Sequence, residues 1–107
     1  MKRIAVLVFF MVCAIHANGN GGTGWGLVTE TYVNSGWTMV KVSGVSENPD
    51  ECMSTVYYAL NPSQPSYTIF HSTLLAAHMA GKQVRFWVSG CGGQNDKYPK
   101  IVSVFVK

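Results

Sequence analysis

Four short runs of this chain alternate residues with a period of two, a fifth has strand character, and only one run spaces its apolar residues as a helix does. That contrast limits the folds open to the sequence more than any motif in it. In residues 83–89 (QVRFWVS), Val84, Phe86 and Val88 point one way, with Arg85 and Trp87 opposite. Residues 100–106 (KIVSVFV) repeat the pattern with Val102, Val104 and Val106. In 37–44 (WTMVKVSG), Thr38, Val40 and Val42 alternate with Trp37, Met39 and Lys41. A period of two predicts strands with one core face and one exposed or interfacial face. Residues 25–33 (WGLVTETYV) and 53–60 (MSTVYYAL) complete the set, the latter with Val56, Tyr58 and Leu60 on one side.

Turn signals separate the runs. Asn34, Ser35 and Gly36 between the first two predict a tight hairpin. Residues 45–51 (VSENPDE) form a polar loop, and 61–65 (NPSQP) end the third strand. Ser66 is placed to cap a helix running to Ala80, in which Phe70, Leu74 and Ala77 recur at helical spacing and Gly81 supplies the stop. The predicted fold class is therefore mainly β with one helix, in the order β-β-β-α-β-β. That is the order of the OB-fold, a five-stranded Greek-key barrel. An open five-stranded sheet carrying one helix is the alternative.

The N-terminus bounds the compartment. Lys2 and Arg3 precede an apolar stretch at 4–15 (IAVLVFFMVCAI), and Ala17 offers a small-residue cleavage point. Residues 1–17 read as a signal peptide, too short to remain as a membrane span, which places the protein in the periplasm or outside the cell. Residues 18–24 (NGNGGTG) read as a flexible leader, and 25–107 as the domain. Without Lys2 and Arg3, six of the eight basic residues remain against five acidic ones, a formal charge of +1. Such a balance excludes the electrostatic footprint of a nucleic-acid binder, and no membrane insertion is expected.

Cys52 and Cys91 remain after cleavage. In an oxidising compartment the pair predicts one disulfide, worth about 3–4 kcal/mol in the chain-entropy account. No metal is expected, since a zinc site needs two more ligands at useful spacing and His71 and His78 lie two helical turns apart. No cofactor motif is present either. The stretch at 89–101 (SGCGGQNDKYPKI) has glycines after a strand, but a strand follows where a phosphate loop needs a helix. It reads as a hairpin connection pinned by Cys91, with Pro99 confined to the start of the last strand.

The segment LLAAHMAGKQVRFWVSGCGGQNDKYPKIVSVFV resembles the helix-to-last-strand half of the B subunits of subtilase-type AB5 toxins. Gly81, Val84, Arg85, Phe86, Tyr98 and Pro99 are the matching positions. It resembles still more a group of small exported bacterial proteins similar to those subunits. The resemblance covers 74–106 well and the rest of the domain loosely. It implies an OB-fold, a homopentameric ring with helices lining its pore, an enzymatic A subunit as partner, and binding of cell-surface glycans, often sialylated. Trp25 and Val88 stand where the toxin subunits carry a serine and a tyrosine at the sugar.

Three tryptophans and five tyrosines are a heavy aromatic load. Trp25, Trp37, Tyr57 and Trp87 fall opposite the predicted core, as a stacking platform or subunit interface; the competing reading has them fill the barrel. No spacing pairs Glu30, Asp50, Glu51 or Asp96 as catalytic carboxylates, so no enzymatic activity is expected. Arg85 is expected to pair with an acid such as Glu30, or else to reach a ligand carboxylate. His71 and His78 are expected on the exposed or pore-facing side of the helix. The function read from the sequence is a lectin-like subunit that binds sugar through Trp25, Thr29, Trp37, Arg85, Gln94, Asn95 and Asp96. The alternative is a monomeric periplasmic or secreted interaction or inhibitor module that binds no sugar.

Overall fold

The hairpin at Ser35 and Gly36 sets the first register. Both residues hold positive φ, 52° and 83°, as a two-residue turn matched to strand twist requires. It joins β2 (Gly26–Asn34) to β3 (Trp37–Val42), with Asn34 opposite Trp37 and Tyr32 opposite Met39. The computed structural model describes residues 20–107; the signal peptide expected at 1–17, with Cys13 and His16, and the first two leader residues lie outside the described residues. The remaining elements are β1 (Asn20–Gly22), β4 (Tyr58–Leu60), α1 (Tyr67–Ala80), β5 (Gln83–Gly92) and β6 (Tyr98–Val106).

The fold is mainly β with one helix, and its six strands form one sheet. β2 pairs with β3, β3 with β4 and β5 with β6, all antiparallel, while β4 and β6 run parallel through Ala59 and Lys100. β5 also pairs with β2 through Val84 and Gly26, so the circuit β2–β3–β4–β6–β5 returns to its start. Closure leaves few free edges to be protected. Val28, Val40, Val42, Tyr58, Leu60, Val84, Phe86, Val88 and Ile101 fill the interior, and Leu74 and Ala77 of α1 close over it. The helix ends as expected: the Gly81 and Lys82 amides donate to the His78 and Ala77 carbonyls, a left-handed C-terminal turn. Ser66 holds the N-cap position, but its side chain caps nothing.

Four expectations need correction. The leader is not flexible throughout: Asn20, Gly21 and Gly22 pair with Ser89, Val88 and Trp87. The buried Thr23 anchors them, its amide donating to the Phe86 carbonyl and its Oγ1 accepting from the Phe86 amide. The third strand shrinks to Tyr58–Leu60. Residues 53–57 are drawn into a loop because the Ser54 amide donates to the Lys97 carbonyl and the Val56 amide to Ser54 Oγ. In β6 the inward positions are Ile101 and Val104, since a bulge at Val102 switches the phase, and Val106 is exposed. In β3 the expected outward residue Met39 is fully buried, under Gly93 and Tyr98.

The Cys52–Cys91 disulfide is formed, with Cα atoms 5.7 Å apart. Asn48 steadies it, donating to the Cys52 carbonyl and accepting the Cys52 amide, both at 2.8 Å. A bridge of this kind fits an oxidising compartment outside the cytoplasm. No helix among the described residues is long and apolar enough to cross a membrane.

Candidate functional site

The outer side of the closed sheet, around β2, β3 and β6, gathers four of the eight tryptophans and tyrosines. Tyr32 of β2, Tyr57 just before β4 and Tyr98 of β6 form an edge-to-face series, with centroids 5.0 and 5.9 Å apart. Tyr57 donates to the Glu30 carboxylate at 2.8 Å. That bond to an anion pushes the Tyr57 phenol above its ordinary range, with burial and the Glu30 charge adding to it. Burial first, then the charges of Tyr98 and Glu30, does the same for Tyr32. Both phenols therefore stay neutral hydrogen-bonding groups at any physiological pH.

Two adjoining loops border this face, the β2–β3 turn and the β5–β6 connection, which carries a 3-10 turn at Gln94–Asp96. Gln94 ties them together: its Nε2 donates to the Asn34 carbonyl at 3.3 Å and its Oε1 accepts from Tyr32 at 3.1 Å. Trp37 lies against Gly92, where an added Cβ would stand 2.6 Å from the indole and 2.7 Å from the Lys100 stem. The β5–β6 connection is pinned as expected. Cys91 is bridged, and the Gly90 amide donates to Asp50 in a short hydrogen bond. Asn95 and Asp96 are exposed at the tip, both at positive φ.

The hairpin is held from beneath as well. Thr38, fully buried, meets the Tyr67 hydroxyl and His71 Nδ1, each at 2.7 Å, and Tyr67 donates to the Gly36 carbonyl at 3.0 Å. His78 meets Thr31 through Nδ1 at 3.1 Å. The two histidines thus stand half-buried on the sheet side of α1, correcting the exposed or pore-facing position expected from the sequence. Their seven-residue spacing puts both on one helix face, and that face meets strand threonines.

The seven expected residues do not form one site. Trp37, Gln94, Asn95 and Asp96 belong to the face just described. Trp25 and Arg85 lie together on the outer side of β5 and β6. Thr29 is exposed at a bulge in β2, its Oγ1 reaching the Lys41 carbonyl at 3.4 Å. Arg85 does not pair with Glu30 within the chain, because Glu30 is bound to Tyr57 on the other face. Trp25, Trp37, Tyr57 and Trp87 all lie outside the core, whose interior aromatics are Tyr58 and Phe86. Sequence reasoning missed Tyr32, Tyr98 and Glu30 as members of the face; only Tyr98, beside the buried Pro99, alternates with a buried neighbour. Among the described residues no group of His, Cys, Asp or Glu could hold a metal ion. Neither a family model nor a curated protein nor a solved structure matches the chain.

Proposed function

We propose that this protein is a secreted or periplasmic, non-enzymatic, lectin-like subunit that binds cell-surface glycans on the Tyr32–Tyr57–Tyr98–Trp37 face. The observation that carries the reading is one aromatic platform bordered by two loops that Gln94 joins. Sugar rings present C–H faces that stack on such rings, while hydroxyls take directed hydrogen bonds. Glu30, Gln94, Asn95 and Asp96 supply the polar groups around the rim. The pairing circuit, with α1 between β4 and β5 and a parallel β4–β6 pair, supports an OB-fold, in which the corresponding loops flank the ligand face. The resemblance to AB5 toxin B subunits accords with that architecture and adds a homopentameric ring to the proposal.

A glycan array tests it. Wild-type protein is expected to give a selective signal. Trp37→Ala and Tyr57→Phe should reduce that signal at least about tenfold, the loss of one stacking or charge-assisted contact, with unchanged circular dichroism. A blank array for the wild type would overturn the reading. A protein captured on the same face would then favour an interaction or inhibitor module.

A further inference from the structure

The other two expected sugar residues, Trp25 and Arg85, sit in a place with different chemistry. Trp25, between β1 and β2, has Lys107 Nζ 4.5 Å from its ring centroid and the Arg85 guanidinium carbon at 5.9 Å. The same guanidinium lies 4.7 Å from the centre of Phe105, its neighbour across β5 and β6. Gly22 of β1 keeps the cluster open: a Cβ there would stand 3.2 Å from Arg85 Nη2 and 3.3 Å from the Trp87 ring.

Aromatic faces attract both cations but accept no hydrogen bond in the plane of a guanidinium. Arg85 Nε is buried without a hydrogen-bond partner. Glu30 is held by Tyr57 and Asp50 by the Gly90 amide. Two cations converging on one indole repel each other, and an anion between them relieves that repulsion. Around them Trp87, Phe105 and Leu27 are about two-fifths exposed, leaving apolar surface that a bare inorganic ion would not use.

We infer that Trp25, Arg85 and Lys107 form a second ligand site for a ring-bearing organic carboxylate, a sugar acid of the uronic type. Its carboxylate lies between the guanidinium and the ammonium, and its ring covers Trp87 and Phe105. The identity of the ring rests on the glycan reading above; the location of the site does not.

Tryptophan fluorescence of the oxidised protein, titrated with sodium glucuronate, glucose or inorganic phosphate, tests the site. Glucuronate is expected to give a saturable change that weakens with added salt, and neither glucose nor phosphate should match it at equal concentration. Lys107→Gln should weaken glucuronate on the order of tenfold and Arg85→Gln at least as much, while Tyr57→Phe leaves it unchanged. Lys107 is exposed, so its variant reads binding even where Arg85→Gln disturbs the sheet. Equal responses to glucose show that charge plays no part, and equal responses to phosphate show that the ring plays none. Either result, a Lys107→Gln titration identical to wild type, or no response to glucuronate overturns the site. A blank glycan array beside intact glucuronate binding overturns only the tyrosine face.

Discussion

Thr38 has one hydroxyl proton and two neighbours at 2.7 Å, which fixes the direction of the bonds around it. The Gly36 carbonyl can only accept, so Tyr67 gives its single proton there. Thr38 then donates to the Tyr67 oxygen, and His71 must carry its proton on Nδ1 and donate to Thr38. The chain from His71 through Thr38 and Tyr67 to Gly36 fastens α1 to the turn beside the aromatic face. Thr38→Val is nearly isosteric but leaves His71 Nδ1–H and Tyr67 without their shared partner. A destabilisation of about 1–3 kcal/mol is expected, the range for a buried polar group left unpaired. Urea unfolding should show it as a lower midpoint at constant slope, with Thr38→Ser recovering most of the loss. A Thr38→Val midpoint equal to wild type would show that the hydroxyl holds nothing together.

At the scale of elements, the start of β2 passes the end of β3 at a glycine. An added Cβ at Gly26 would stand 2.1 Å from the Ser43 carbonyl oxygen and 2.8 Å from Val42 Cγ1. Backbone on the receiving side cannot yield as a flexible side chain would. Gly26→Ala should therefore destabilise by about 1–3 kcal/mol or more through overpacking. Gly21→Ala, which meets only Pro49 at 3.6 Å, should stay within about 0.5 kcal/mol. Thermal unfolding of the two variants checks the contrast, and equal midpoints would contradict the close approach.

Elements of this fold were legible where side chains alone set the pattern. Val84, Phe86 and Val88 alternate without interruption and lie inside, and Leu74 and Ala77 mark the buried face of α1. Elements set by backbone partners were not. Asn20–Gly22 has no strand-favouring side chain and pairs only because β5 offers it free amides and carbonyls beyond the reach of β2. The bulge at Val102 switches inside for outside in β6 while the residue pattern runs on unbroken. The candidate face was half legible for the same reason. Trp37 and Gln94 stood out by type beside predicted turns. Separating Trp25 and Arg85 from them required the strand pairing, which sets Arg85 beside Phe105 on β5 and β6 and Gln94 beside Tyr32 on β2.

For the whole molecule, the outer side of α1 bears on whether one copy acts alone. The helix sequence YTIFHSTLLAAHMA holds no Asp, Glu, Lys or Arg, although a solvent-facing helix surface ordinarily carries charge. Leu74 and Ala77 turn toward the core, while Ile69 and Met79 remain 67% and 87% exposed. Apolar side chains left outward in this way suit burial against another surface, and the proposed ring supplies one at no further expense of sequence. Weak sugar contacts gain in strength when several copies bind one glycan-bearing surface, so assembly and function are linked. Size-exclusion chromatography with light scattering on the oxidised protein is expected to give five copies. Met79→Lys and Ile69→Lys together should reduce it to one copy without lowering the urea midpoint, because neither side chain contributes to the core. The same double variant should keep its glycan contacts, yet lose array signal through lost multivalency. A monomeric wild type would remove the ring and the avidity that depends on it, and binding on the aromatic face would then have to reach working affinity through a single site.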